Sequence, residues 1–69
     1  MKLIATYIHD DHTSVKDHGE YVNHTVRTEN GRTYYAFEND WGEIEWSDKL
    51  VKHIEHVGNE THITIDWRD

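Results

Sequence analysis

The stretch Thr28-Glu29-Asn30-Gly31-Arg32-Thr33 decides how this chain folds, because it predicts a tight β-hairpin. Asparagine followed by glycine supplies the two positive-φ residues of a type I′ turn, the favoured two-residue hairpin loop. With this turn, residues whose numbers sum to 61 pair across the strands, so Val26 faces Tyr35 and His24 faces Phe37. A one-residue slip would turn every side chain to the other face. The predicted register gathers one apolar face, made of Val22, His24, Val26, Tyr35 and Phe37.

Alternating apolar and polar residues continue on both sides of this hairpin, with turn residues between the runs, as half-buried strands require. Ile44 and Trp46 alternate with two glutamates and so share one face of a predicted strand. Residues 10–19 are polar and rich in residues typical of turns, and Glu38–Gly42 is a predicted turn. The β-prone runs cover Leu3–Ile8, Glu20–Thr28, Glu43–Trp46 and Thr61–Trp67.

The segment Ser47–Val57 has two interpretations. In the first, Ser47 caps a helix near residues 47–54. Such a helix would carry one apolar face, made of Leu50, Val51 and Ile54.

In the second interpretation, Gly58-Asn59 is a two-residue loop and the segment is a strand paired with the last run. Residue numbers then sum to 117 across the pair, and one partner set breaks the apolar pattern, because Lys52 falls opposite Ile65. The apolar pairs of this register are Ile54 with Ile63 and Leu50 with Trp67. We favour this hairpin. The chain is then a mostly β protein, a small antiparallel β-meander that forms a curved sheet or is barrel-like, with at most one short helix near 47–54.

Size and charge narrow the class of protein further. The 69 residues are enough for one small domain, 1–69, and they carry 14 Asp and Glu against 7 Lys and Arg, a formal net charge of −7. With no cysteine, neither a disulfide scaffold nor a thiolate metal site is possible.

No apolar run approaches the roughly 20 residues of a membrane helix, and no signal-peptide core is complete, so we expect a cytoplasmic protein with no membrane partner. The excess of acids argues against direct binding to nucleic acid.

The aromatic content indicates a folded chain that is short of core. Three Trp, four Tyr and one Phe are too many for a disordered acidic tail. Small domains without a disulfide or metal often complete their core by self-association, so we expect a homodimer.

Carboxylates are the strongest functional signal. Five lie within eleven residues, with aromatic residues among them, and a second acidic group lies near the N-terminus. Alternate residues of a strand project from one face about 6.5–7 Å apart, close to the phosphate repeat of a DNA strand. The alternative is that these acids only solvate the sheet and guard its edges. The predicted partner-binding residues are Glu38, Asp40, Trp41, Glu43, Glu45, Trp46 and Asp48, with Asp10, Asp11 and Asp17 as a second set.

Seven histidines are the second unusual feature. Histidine and carboxylate can bind zinc or nickel, but no motif with a specific spacing is present, and on a strand His53 and His56 would point to opposite faces. Ser14, Asp17 and His18 lie close in sequence, but a catalytic triad is recognised by geometry rather than adjacency. We therefore expect no enzyme, no metal site and no cofactor.

In size, acidity, lack of cysteine and β-rich pattern, the whole chain resembles the small acidic bacteriophage host-takeover proteins of the DNA-mimic type. The resemblance implies a basic host DNA-binding protein as the target, such as a histone-like nucleoid protein, a nuclease, a restriction enzyme or RNA polymerase, in the host bacterial cytoplasm. It assigns no role to individual residues.

The predicted function is therefore that of an acidic DNA-mimic inhibitor, which binds a basic nucleic-acid-binding protein and blocks its DNA-binding site. One alternative is a dimeric protein–protein interaction module that uses the exposed aromatics Trp41, Trp46 and Tyr34. A further alternative is a small His/Asp metal-binding protein.

Overall fold

The computed structural model describes residues 1–68, which form seven β-strands. No helix occurs within these residues, so the mostly β prediction is confirmed and the alternative of a helix near 47–54 is wrong. The strands are β1 (Lys2–Ile8), β2 (Thr13–Glu20), β3 (Asn23–Glu29), β4 (Arg32–Asn39), β5 (Gly42–Ser47), β6 (Val51–Val57) and β7 (Glu60–Asp66).

The strands form two sheets, one of four strands in the order β2-β1-β7-β6 and one of three in the order β3-β4-β5. Four of the five strand pairs join consecutive strands of one sheet and are antiparallel, as in a meander. The exception is the pair of β1 and β7, which lie side by side and parallel. This parallel pair was not predicted, because strands so distant in sequence share no local signal.

Two short connections, residues 21–22 and 48–50, carry the chain from one sheet to the other. In the first, both backbone N–H groups donate hydrogen bonds of 2.8 Å, one to the carbonyl of Met1 beside β1 and one to that of Glu38 on β4. Backbone groups of the second connection likewise form hydrogen bonds with backbone groups of β4 and β7. Both corners are therefore hydrogen-bonded to both sheets.

The β3–β4 hairpin has the predicted register. Val26 pairs with Tyr35 and His24 with Phe37. The turn residues Asn30 and Gly31 have φ angles of 54° and 76°, as a type I′ turn requires.

The β6–β7 hairpin confirms the strand interpretation and corrects its register at one end. Ile54 pairs with Ile63 as predicted, but an irregularity between Val51 and His53 places Val51, rather than Lys52, opposite Ile65. A β-bulge adds one residue to a strand and so resets which side chains face inward. Lys52 is exposed as a result. The predicted pair of Leu50 with Trp67 is wrong, because the connection between β5 and β6 takes up Leu50.

Two expectations for the first half of the chain are also wrong. The polar residues 10–19 include most of β2, an edge strand whose pairing with β1 needs only its backbone. Val22 and Val26, predicted on a buried face, are 71% and 55% exposed. Val22 lies in the corner before β3, and Val26 lies on β3, the edge strand of the smaller sheet.

The core lies between the two sheets, and four strands contribute to it. Its buried members are Leu3, Ala5, Phe37, Trp46, Ile63 and Ile65. Thr61 is also fully buried, and its hydroxyl hydrogen-bonds to the Tyr21 hydroxyl at 2.7 Å and to His56 Nδ1 at 2.9 Å. Burial of this polar group is therefore compensated.

Candidate functional site: an acidic hairpin tip

The structure divides the first predicted acidic set into paired and unpaired carboxylates. Glu45 Oε1 lies 3.0 Å from Arg27 Nη2, and Asp48 Oδ1 lies 3.1 Å from Arg32 Nη1. A hydrogen bond from the Thr33 N–H, followed by the contact with Arg32, holds the pKa of Asp48 below its usual value. Arginines of the β3–β4 hairpin therefore neutralise these two acids.

The other three acids, Glu38, Asp40 and Glu43, are exposed. Glu38 and Glu43 are direct cross-strand partners on β4 and β5. Like charges in directly opposed positions destabilise a sheet. Within residues 1–68 no cation lies at ion-pair distance from any of the three.

The ion pairs of the whole surface make this arrangement unusual. Nine carboxylates of the described chain lie within ion-pair distance of a lysine, arginine, histidine or the amino-terminal ammonium. Four carboxylates have no such partner, and they are Asp10, Glu38, Asp40 and Glu43. The last three of these lie in the β4–β5 hairpin.

Trp41 lies between these acids at the turn of the hairpin and is 95% exposed. The Asn39 side chain accepts a hydrogen bond of 2.9 Å from the Trp41 N–H, which shapes the turn. Gly42 follows with a φ of 143°, which residues with a Cβ rarely adopt. The turn therefore projects the indole into solvent. We call Glu38, Asp40, Trp41 and Glu43 the acidic tip.

The acidic tip is bounded by Arg27 on the outer face of the smaller sheet. The Arg27 guanidinium contacts Glu29 and Glu45 and lies 4.4 Å from the centre of the Tyr34 ring. Tyr34 is therefore half-buried beneath a cation rather than displayed. Trp46, also expected to be an exposed contact, is only 6% exposed, and that expectation is wrong because its side chain belongs to the core.

The second predicted acidic set lies on the β1–β2 hairpin, which belongs to the other sheet. Asp17 Oδ2 is 3.0 Å from Lys2 Nζ, and this bond is the main cause of its lowered pKa. Asp11 Oδ1 is 2.6 Å from His12 Nδ1. Only Asp10 of this set has no such partner within residues 1–68. The two acidic sets therefore do not form one continuous strip of uncompensated charge.

The histidines are dispersed. In the described chain, no three His, Asp or Glu side chains converge as a metal site would need. The rings of His9 and His12 stack with centroids 4.3 Å apart, which places them face to face rather than around a shared ion. His56 bonds inward to Thr61, whereas the neighbouring histidine, His53, contacts Glu55 on the outer face.

An aromatic cluster around His18 could not be found in the sequence. His18 occupies the β2 bulge between the partners of Leu3 and Ile4, and its Nε2 lies 2.8 Å from the Tyr7 hydroxyl. Its ring also meets the edge of Trp46. Burial, and then the charge of Lys16, lowers the His18 pKa. Ser14 contacts His9 instead, at 3.1 Å, so the sequence neighbours Ser14 and His18 do not form a triad.

The fold and the acidic tip together define a small all-β protein with one concentrated patch of unpaired carboxylates around an exposed tryptophan. No protein-family model matches the chain, and neither a curated protein sequence nor a solved structure matches it. Residues 1–68 contain no helix that is long and apolar enough to cross a membrane.

Proposed function

We propose that the protein is a binding inhibitor that inserts its acidic tip into the basic groove of a nucleic-acid-binding protein. The carboxylates take the place of phosphates, and nucleic acid is excluded from the groove by competition. The observation that carries this proposal is the concentration of unpaired carboxylates at the tip, on a surface where most other acids are ion-paired.

Electrostatics favour such a partner. An acid paired with arginine forms a dipole, whose field falls off quickly with distance, whereas the unpaired tip carboxylates act over about 8 Å at physiological salt. A field of one sign speeds the association of oppositely charged proteins. The opposed carboxylates of Glu38 and Glu43 repel one another in the unbound protein. A partner's lysine or arginine placed between them would relieve that repulsion.

Trp41 supplies an apolar contact at the centre of the tip. An aromatic side chain of this type buries about 150–250 Å² when it enters a pocket. At about 25 cal/mol per Å², that is about 4–6 kcal/mol before the costs of ordering and association. Tryptophan is among the residues that most often dominate binding energy at protein interfaces.

A panel of basic bacterial proteins tests the proposal, including a histone-like nucleoid protein and RNA polymerase. Calorimetry would compare the wild type with the double variant Glu38→Gln/Glu43→Gln. The control variant Glu55→Gln/Glu60→Gln removes the same charge from the β6–β7 hairpin. We expect the tip variant to lose at least about tenfold in affinity, equivalent to about 1.4 kcal/mol.

Four further results decide the case. Duplex DNA should compete with the inhibitor for its partner, and raising the salt concentration should weaken the complex steeply. Equal losses in the tip and control variants would mean that net charge alone drives binding. Failure of DNA to compete, or of every protein in the panel to bind, would contradict the proposal.

A second candidate is the protein–protein interaction module that uses exposed aromatics, and the 95% exposure of Trp41 favours it. Here the indole carries the affinity and the acids only keep the surface soluble. Trp41→Ala would then abolish binding, Glu38→Gln/Glu43→Gln would leave it nearly unchanged, and the complex would resist salt.

A further inference from the structure

Four strand edges have no hydrogen-bonded neighbour in the sheet order of residues 1–68, namely those of β2, β6, β3 and β5. An unpaired edge is a template for another strand, and proteins protect such edges with bulges, lysines or repelling charges. The four edges differ in these protections.

The two edges of the larger sheet are both interrupted. β2 has a bulge at His18, and β6 has one at Lys52. Lys16 on β2 and Lys52 on β6 are also exposed. A bulge bends and twists its strand away from a regular ladder. These two edges are therefore poor templates.

The β5 edge is regular, but its charges oppose self-pairing. Glu43 and Glu45 project from its outer face. Antiparallel pairing of this edge with a second copy would bring glutamates opposite or diagonal to glutamates, which is destabilising.

The β3 edge has neither a bulge nor a lysine, and its two charged residues, Arg27 and Glu29, are paired with one another. Its pairing with β4 contains no register shift, and six of its seven residues are exposed. In a two-residue hairpin the residues that flank the loop, here Glu29 and Arg32, form a hydrogen-bonded pair. Along an antiparallel ladder, hydrogen-bonded pairs alternate with non-hydrogen-bonded pairs. The backbone groups of His24, Val26 and Thr28 therefore point away from β4, toward the unpaired edge.

We propose that a second copy of the chain pairs with this edge, antiparallel and about a two-fold axis through Val26. Val26 is the midpoint of β3, so this register alone pairs all seven residues of the strand. It places the two Val26 side chains, each 55% exposed in the single chain, against one another. It also places Arg27 opposite Thr25 of the second copy and Glu29 opposite Asn23, so no like charges are directly opposed. The two Arg27 side chains are diagonal neighbours, and each is ion-paired with Glu29 and Glu45 of its own chain. The result is a continuous six-stranded sheet with an acidic tip on each subunit.

Cysteine cross-linking tests this register, because the wild-type chain contains no cysteine. Facing residues of a hydrogen-bonded pair have Cα atoms about 5.5 Å apart, within the range that a disulfide spans. Val26→Cys should therefore oxidise to a covalent dimer. The control, Val15→Cys, places a similarly exposed thiol on the bulged β2 edge, and it should cross-link at least about tenfold more slowly. Equal rates would overturn the proposal.

Sedimentation gives an independent measurement. The wild type should sediment at twice its 8.3 kDa mass at micromolar concentration, and Val26→Lys should sediment as a monomer because two ammonium groups would meet on the axis. Val15→Lys should remain a dimer. A monomeric wild type, or a Val26→Lys protein that stays dimeric, would overturn the proposal. Binding through the acidic tip does not depend on either outcome, so the two proposals fail separately.

Discussion

Replacing Gly31 with valine isolates the conformational contribution of the turn that sets the β3–β4 register. Gly31 has a φ of 76°, and a Cβ built at this position meets no other atom within 4 Å. The cost of the substitution is therefore in the backbone alone, since there is no clash to relieve. A left-handed conformation costs about 1–2 kcal/mol for a residue with a Cβ, and a β-branched side chain resists it most. We expect Gly31→Val to lower the free energy of unfolding by that amount.

Thermal unfolding followed by circular dichroism would measure this change. For a domain of this size, each kcal/mol shifts the melting temperature by about 4–8 °C, so the expected fall is about 4–16 °C. All melts need one protein concentration, because a self-associating chain gains stability by mass action. The control is Arg32→Val, which places the same side chain at the next position, where φ is negative and valine suits a strand. Arg32→Val loses only an exposed ion pair with Asp48, so its melting temperature should move far less. Unchanged stability in Gly31→Val, or an equal fall in both variants, would refute the reasoning.

Three other perturbations have expected outcomes. Phe37 is 1% exposed at the centre of the core, so Phe37→Ala should lower the free energy of unfolding by about 3–5 kcal/mol, and a denaturant midpoint that barely moves would contradict the proposed core. The His18 pKa is lowered below 6.5 by burial and by Lys16, against an opposing effect of Asp17, so its stabilising contribution is complete above pH 6.5 and is lost as the pH falls below it. Denaturant midpoints of His18→Gln should therefore decline less steeply than those of the wild type between about pH 6.5 and 5, and parallel declines would exclude this effect. The Asp66 pKa is lowered to about 2, mainly by hydrogen bonds from the Arg68 side chain, so Arg68→Ala should raise it toward 3.8 in an NMR titration, whereas an unchanged value would assign the shift to other groups.

The β3–β4 hairpin could be predicted because everything that determines it is local. The turn dipeptide and the alternating residues on either side of it lie within about one dozen positions, and they agree on one register. The pairing of Ile54 with Ile63 was predictable for the same reason. The mismatch of Lys52 with Ile65 in the predicted register marked the position of a bulge, although alternation alone cannot show how the chain absorbs an extra residue.

Long-range features of the fold leave no such signal. The polar β2 strand was not recognised, because an edge strand needs only backbone hydrogen bonds and its side chains can all be hydrophilic. The corner at Tyr21–Val22 interrupts a run that alternates like a single strand, and the change of sheet depends on contacts with residues far along the chain.

The candidate site was predicted in part. Glu38, Asp40, Trp41 and Glu43 remain together because they are neighbours on one hairpin. The pairing of Glu45 with Arg27 depends on the sheet order β3-β4-β5, which the amino-acid composition does not reveal. The predicted exposure of Trp46 disagreed with its own pattern, since its alternation with Ile44 already placed it on the inward face.

The parallel pairing of β1 with β7 has a consequence for how the chain folds during synthesis. β1 occupies an interior position in its sheet, between β2 and β7, yet β7 begins only at Glu60. The ribosome therefore completes six strands before β1 can acquire its second neighbour, and until then one side of an apolar strand lacks its partner. The chain between β1 and β7 must lose conformational entropy before the contact between these two strands can stabilise the fold. Folds dominated by such distant pairings form in milliseconds to seconds. Closure of the larger sheet is thus a late step, and Leu3 and Ala5 complete their burial only when Ile63 and Ile65 arrive.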